Sequence, residues 1–228
     1  MNVTIINGSL GHNDFTSRIL EYLRDQLSQN YSNVDIQFIN LTDYDLHNCL
    51  NCKQCYRTGK CVYKDDRIEE LRAILKNSNG FIFGSPANLG NISAVLLNFQ
   101  QRVRMTMEQL LYRKPCIIVT VNENLGRSEA IHAMRRMIIN AGGYIVSSLA
   151  MKDSGGDAAI TGENTSKIDN AIVSFIKNLF RVKPPLMSRI YTTIAVHLFM
   201  KPNVLRNRQA YQGIINSWIE KKIINKPA

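Results

Sequence analysis

The sequence has no apolar run long enough to cross a membrane. The longest, residues 190–200, is broken by Thr192, Thr193 and His197 and falls well short of the ~20 residues a spanning helix needs. A basic leader is also missing: MNVTIINGSL turns polar after six residues and reads as a buried first strand, so the expected location is cytoplasmic. There is no internal repeat and no low-complexity segment. The four histidines, His12, His47, His132 and His197, have no ligand spacing with one another and read as surface or packing residues. Acids run out toward the end of the chain. Residues 1–180 hold 19 Lys+Arg against 17 Asp+Glu, whereas residues 181–228 hold nine against the single acid Glu220, so the net charge of +10 is mostly a C-terminal property. Such an excess suits nucleic acid, an anionic membrane surface, an acidic protein partner or a phosphorylated cofactor. No nucleic-acid motif accompanies it, and nucleic acid is not an expected partner.

What is present points to one well-buried α/β core with an appendage. The 228 residues suffice for that and not for two full-sized domains, and 45% hydrophobic and 20% charged residues are ordinary for a globular chain. Residues 3–6 are a short β-branched strand, followed by a Gly-Ser loop and a helix over 16–27 in which Ile19, Leu20, Leu23 and Leu27 fall at helical spacing. Strands are expected at 34–39, 80–83, 116–121 and 144–149. Helices are expected from Asp65-Asp66 onward, from near Asn91, over 128–140 and over 165–180. The third strand is expected to stop at Gly84-Ser85-Pro86. Five strands alternating with five helices predict an α/β doubly wound parallel sheet, with ligands at the carboxyl ends of the strands. Residues 1–182 form this domain, with a cysteine-rich loop at 47–64. Residues 183–228 form a helical basic extension of two amphipathic segments, 186–200 and 208–224, joined through Lys201-Pro202. The extension's apolar residues Ile190, Ile194, Phe199, Ile214, Ile215 and Trp218 predict a homo-oligomer in which another subunit covers them; the alternative is that the tail folds back on its own domain.

Two loops carry the first chemical signal. The segment Gly8-Ser9-Leu10-Gly11-His12-Asn13-Asp14-Phe15-Thr16-Ser17 places glycines and hydroxyls between a strand and a helix N-terminus, an arrangement that suits a phosphate and equally suits an ordinary capped loop. Taken with Phe83-Gly84-Ser85-Pro86-Ala87-Asn88-Leu89-Gly90-Asn91 after the third strand, it resembles the flavodoxin-like NADPH-dependent FMN reductases over residues 1–180. The resemblance implies a flavodoxin-like fold and an FMN-binding oxidoreductase. It places the FMN phosphate on Ser9, Gly11, Asn13, Thr16 and Ser17, and the flavin ring along Ser85, Pro86, Ala87, Asn88, Leu89, Gly90 and Asn91. Asn122, with Glu123, Asn124 and Gly126, edges the ring or is a plain polar loop, and Ser154-Gly155-Gly156 is a third wall or only a turn. Two departures stand out: family members often have an aromatic residue where this chain has Asn88, and a basic residue near Gly11. No residue is assigned a catalytic role.

The second signal is the cysteines. Four of the five lie within thirteen positions as Cys49-x2-Cys52-x2-Cys55-x5-Cys61, which in a reducing compartment suggests metal or redox chemistry before disulfides. Thiolates at every third residue can converge on one face of a cubane, and Gly59 lets the chain turn back so that Cys61 becomes a fourth ligand. Structural zinc, a disulfide and free thiols are the competing readings. The spacing resembles that of the iron-sulfur flavoproteins within the same group, which implies a [4Fe-4S] cluster feeding single electrons to FMN. A second nucleotide-binding domain is absent, so NAD(P)H as donor would stack directly on the flavin, and ping-pong exchange with a small-molecule acceptor would follow. The rivals are a cluster-free reductase of quinones, nitro compounds or flavin, and a non-enzymatic carrier steered toward acidic partners such as ferredoxins. Cys116, opening the fourth strand, reads as a small core hydrophobe.

Overall fold

The structure, a computed structural model, describes residues 1–87, 90–122, 127–152, 160 and 162–225. Its centre is a sheet of five parallel strands, β1 (Asn2–Asn7), β2 (Asp35–Asn40), β3 (Gly80–Pro86), β4 (Pro115–Asn122) and β5 (Tyr144–Lys152), in the order β2-β1-β3-β4-β5. Alternating side chains of the inner strands serve two separate cores, as a sheet covered on both faces requires. Ile6, Phe81, Phe83 and Ile118 face one side, where they meet Leu71 and Leu75 of α3 (Ile68–Asn77), Leu96 and Phe99 of α4 (Ala94–Arg102), and Met134 and Ile138 of α5 (Arg127–Asn140). Val3, Ile5, Ile82, Ile117 and Val119 face the other, against Leu20, Leu23 and Leu27 of α1 (Phe15–Asn30) and Ile172 and Phe175 of α6 (Glu163–Leu179). The strand order reverses between β1 and β3, which opens a crevice at their carboxyl ends. There the Gly8 amide donates to the Gly84 carbonyl at 2.8 Å, and a Cβ on Gly8 would stand 3.0 Å from that oxygen and from Leu96 Cβ. Only glycine lets the two loops approach so closely.

Three expected boundaries are corrected. The third strand does not stop at Gly84: Ser85 pairs with Thr120 and Pro86 with Val121, because β4 runs on beside it. The helix expected from Asp65-Asp66 begins at Ile68, with Glu69 and Glu70 supplying the first-turn acids, since Asp66 is engaged by Arg102. The helix expected near Asn91 begins at Ala94, capped by Ser93, whose Oγ accepts from the Leu96 amide at 3.2 Å.

Beyond the sheet domain, α7 (Leu186–Thr193), a π-helical stretch (Ile194–Met200) and α8 (Lys201–Arg206) follow one another without a break. Lys201-Pro202 is therefore not a joint; Pro202 lies in the first turn of α8, where proline is tolerated. Helix α9 (Gln212–Glu220) then returns to the sheet domain. Its Ile214, Ile215 and Trp218 form a third core with Val196, Val204, Ile223 and Ile224, joined by Tyr56 and Met107, and Trp218 Nε1 donates to the Met107 carbonyl at 2.9 Å. The fold-back alternative thus holds for these three residues, whereas Ile190, Ile194 and Phe199 remain exposed. No helix among the described residues is long and apolar enough to cross a membrane.

Candidate functional site

The loop between β1 and α1 is held from inside. Asn7 Nδ2 donates to Ser17 Oγ at 2.8 Å and to Asn40 Oδ1 at 2.9 Å, and its Oδ1 accepts from the Ser9 amide at 3.0 Å. Ser9, Thr16 and Ser17 are buried; Gly11 and Asn13 are exposed. At the mouth sits a residue the sequence did not single out. Asp14 caps α1, accepting from the Ser17 amide at 2.8 Å, lying 2.9 Å from Ser17 Oγ and accepting from Ser9 Oγ. The Ser9 hydroxyl and the Ser17 amide thus donate to a carboxylate, and Ser17 Oγ lies within reach of both that carboxylate and the Gly11 carbonyl at 2.8 Å, a donor set that fits an anion of the kind an FMN phosphate presents.

Opposite, Ser85 is fully buried and turned to the chain: its Oγ accepts from the Ser93 amide at 2.9 Å and donates to the Pro86 carbonyl at 3.0 Å. The Ala87 amide donates to the Val121 carbonyl at 2.8 Å, and Asn91 Oδ1 accepts from the Ile92 amide at 2.9 Å. Gly90 takes a φ of +75°, which favours glycine. Asn88, Leu89, Glu123, Asn124, Gly126, Ser154, Gly155, Gly156 and the side chain of Asn122 lie outside the described residues.

The cysteines lie at the other end of α4. Asn51 and Lys53 have φ of +51° and +57°, a region non-glycine residues seldom adopt. The short helix α2 (Gln54–Thr58) follows and ends on Gly59 at φ +76°. These turns fold the segment so that Cys49, Cys52, Cys55 and Cys61 all line one cavity of about 330 Å³, beside Tyr63 and Arg102. None of the four is in a disulfide. Nor do three His, Cys, Asp or Glu side chains among the described residues converge where one metal ion could sit.

Buried charge surrounds this loop. Asn98 and Arg102, one turn apart on α4, read the loop's backbone: Asn98 Oδ1 accepts from the Cys49 amide at 3.2 Å and its Nδ2 donates to the His47 carbonyl at 3.1 Å, a carbonyl Arg102 Nη1 also reaches. Arg72 and Arg104 donate to the Gly59 carbonyl at 3.3 and 2.9 Å and share the wholly buried Glu108. Burial works against the Glu108 charge, but Arg104 and Arg72 outweigh it and hold the carboxyl below its usual range. Burial pushes the Cys55 thiol up, with Arg104 opposing. Helix α9 closes the outer side: Tyr211 stacks on Tyr56 at 5.8 Å, Ser217 Oγ donates to Glu108 at 3.0 Å, and Gly213 lies on Gly59. Cys116 is fully buried, away from the cavity's lining, and burial pushes its thiol up. Asn98, Arg102, Arg104 and Glu108 escaped the sequence reading, although charged groups in the apolar stretch 95–111 are a signal that could have found them.

Comparison with known proteins gives concordant results. The family described as NADPH-dependent FMN reductase matches residues 1–156. An iron-sulfur flavoprotein of Clostridioides difficile (strain 630) is 37% identical over 225 residues, 98% of this chain and 100% of the relative. Among solved structures, an NADH:FMN oxidoreductase in its apo form aligns with a TM-score of 0.63 at 19% identity, covering 80% of this chain and 91% of that one. Oxidised flavodoxin 1 from Bacillus cereus aligns at 0.54 and 15% identity, covering 78% and 98%. At these identities the structures speak for the fold.

Proposed function

From the premise that the chain belongs to the NADPH-dependent FMN reductase family, in its iron-sulfur flavoprotein branch, and is an FMN-dependent oxidoreductase, we propose that Cys49, Cys52, Cys55 and Cys61 hold a [4Fe-4S] cluster working with FMN. The FMN phosphate is assigned to the loop of Ser9, Gly11, Asn13, Thr16 and Ser17, and the ring to the wall that Pro86 and Ala87 begin. FMN supplies exchange between one-electron and two-electron chemistry, and the cluster supplies single electrons. The chain's own work is position. Ser93 ties the start of α4 to Ser85, and Asn98 and Arg102 tie its end to the cysteine loop, so one helix of nine residues, about 14 Å long, sets both loops in register. NAD(P)H is the proposed donor and a small molecule the acceptor.

The observation that carries the cluster is the shared cavity: four thiols brought round it by left-handed turns at Asn51, Lys53 and Gly59. Anaerobic reconstitution with iron and sulfide tests it. About four irons per chain are expected, with loss of most of them in each of C49S, C52S, C55S and C61S and none in C116S. Zinc uptake without a broad visible band would turn the reading to the cluster-free reductase.

A further inference from the structure

Arg102 ends α4 inside the cysteine cavity's wall and is 2% exposed. Its guanidinium is almost fully engaged. Nη2 donates to Asp66 at 2.6 Å and lies 3.6 Å from Cys61 Sγ, Nη1 reaches the His47 carbonyl, and the group sits 5.1 Å from the Tyr63 ring centroid. Nε is buried with no acceptor among the described residues. Arg102 thus brings a positive charge and an N–H donor to the Cys61 edge of the cavity. The charges point the same way. Three guanidiniums, on Arg72, Arg102 and Arg104, crowd the loop, and among the described residues the carboxylates buried with them are Asp66 and Glu108, while Glu69, paired to Arg72 and Arg104, is 42% exposed.

We propose that Arg102 is a potential-setting residue, its Nη2 donating to the Cys61 thiolate at the edge of the cavity. This deepens the cluster assignment and rests on it. Reduction adds one electron to the core with no ligand gained or lost. Positive charge and N–H donors at low dielectric stabilise the added electron, so Arg102 holds the reduction potential up. Asp66, which shares Nη2, moderates the effect. Arg102 also braces the loop through His47 and Asp66, and a bracing role alone would change how much cluster is held without changing its potential.

The full-length protein and its R102M, R102K and D66N variants, reconstituted anaerobically, separate the two roles. Iron and sulfide are counted, and a mediated dithionite titration is followed through the electron paramagnetic resonance of the reduced cluster. At the potential where the wild type is half reduced, R102M should show a reduced-to-oxidised ratio at least tenfold lower, about 59 mV for a one-electron couple, with R102K between them. D66N, which keeps the arginine and removes its counter-charge, should raise the ratio. Should R102M fail to hold iron, D66N decides alone. Iron-replete variants within twofold of the wild type would overturn the role assigned to Arg102. A wild type that takes up no iron would overturn the cluster, and this role with it.

Discussion

Asp14 does two things that a phosphate ligand would set against each other. As the N-cap of α1 it satisfies the Ser17 amide, and as a carboxylate it fills the donor set of Ser9 and Ser17. A phosphate arriving there meets a negative charge already in place. Asparagine caps a helix about as well as aspartate, so D14N removes the charge and keeps the cap. If removing this competition is worth about 1–2 kcal/mol, D14N should bind FMN about five- to thirtyfold more tightly in a fluorescence titration. Its thermal midpoint should match the wild type. Weaker binding would mean that the carboxylate orders the loop more than it opposes the ligand. The Gly-Ser pattern made this loop legible in the sequence; which way Asp14 turns was not, because capping and phosphate binding draw on the same residue types.

At the scale of elements, the sheet and its order of helices were readable because β-branched runs and helical periodicity are local signals. The third strand's true end was not, since Ser85 and Pro86 are held by pairing with Thr120 and Val121 from thirty-five residues away. The cysteine spacing marked residues 49–61 as one loop, yet Asn98, Arg102 and Arg104 support it from a helix and turn distant in sequence, and the seat of α9 depends on a contact no pattern encodes. That contact is unusually close. A Cβ on Gly213 would lie 2.2 Å from the Gly59 nitrogen and 2.7 Å from its Cα, both backbone atoms that cannot rotate aside. G213A should therefore push α9 off α2 and destabilise the protein by about 3 kcal/mol in a denaturant titration, the upper end of ordinary overpacking. The exposed neighbour N216A should change stability by less than about 0.5 kcal/mol. Equal effects of the two would show that α9 adapts to a wider spacing.

At the scale of the molecule, the extension divides its apolar residues between two fates. Ile214, Ile215 and Trp218 are spent on the chain's own core, while Leu186, Met187, Leu198 and Phe199 stand 66–75% exposed along α7 and the π-helical stretch. A second copy is the proposed cover for that stripe. Light scattering should then give a mass above the 25.9 kDa of one chain, and the double variant L198E/F199E should return it toward that value. A monomeric wild type would remove the proposal. The backbone contact between Gly59 and Gly213 also has a meaning in time. Synthesis runs at ~5–20 residues per second, and about 150 residues separate Cys61 from Gly213, so the ribosome releases the fourth cysteine of the loop roughly 8–30 s before the helix that lies over α2. The nascent chain thus carries its cysteine loop without the outer support of α9 for an interval fixed by chain order.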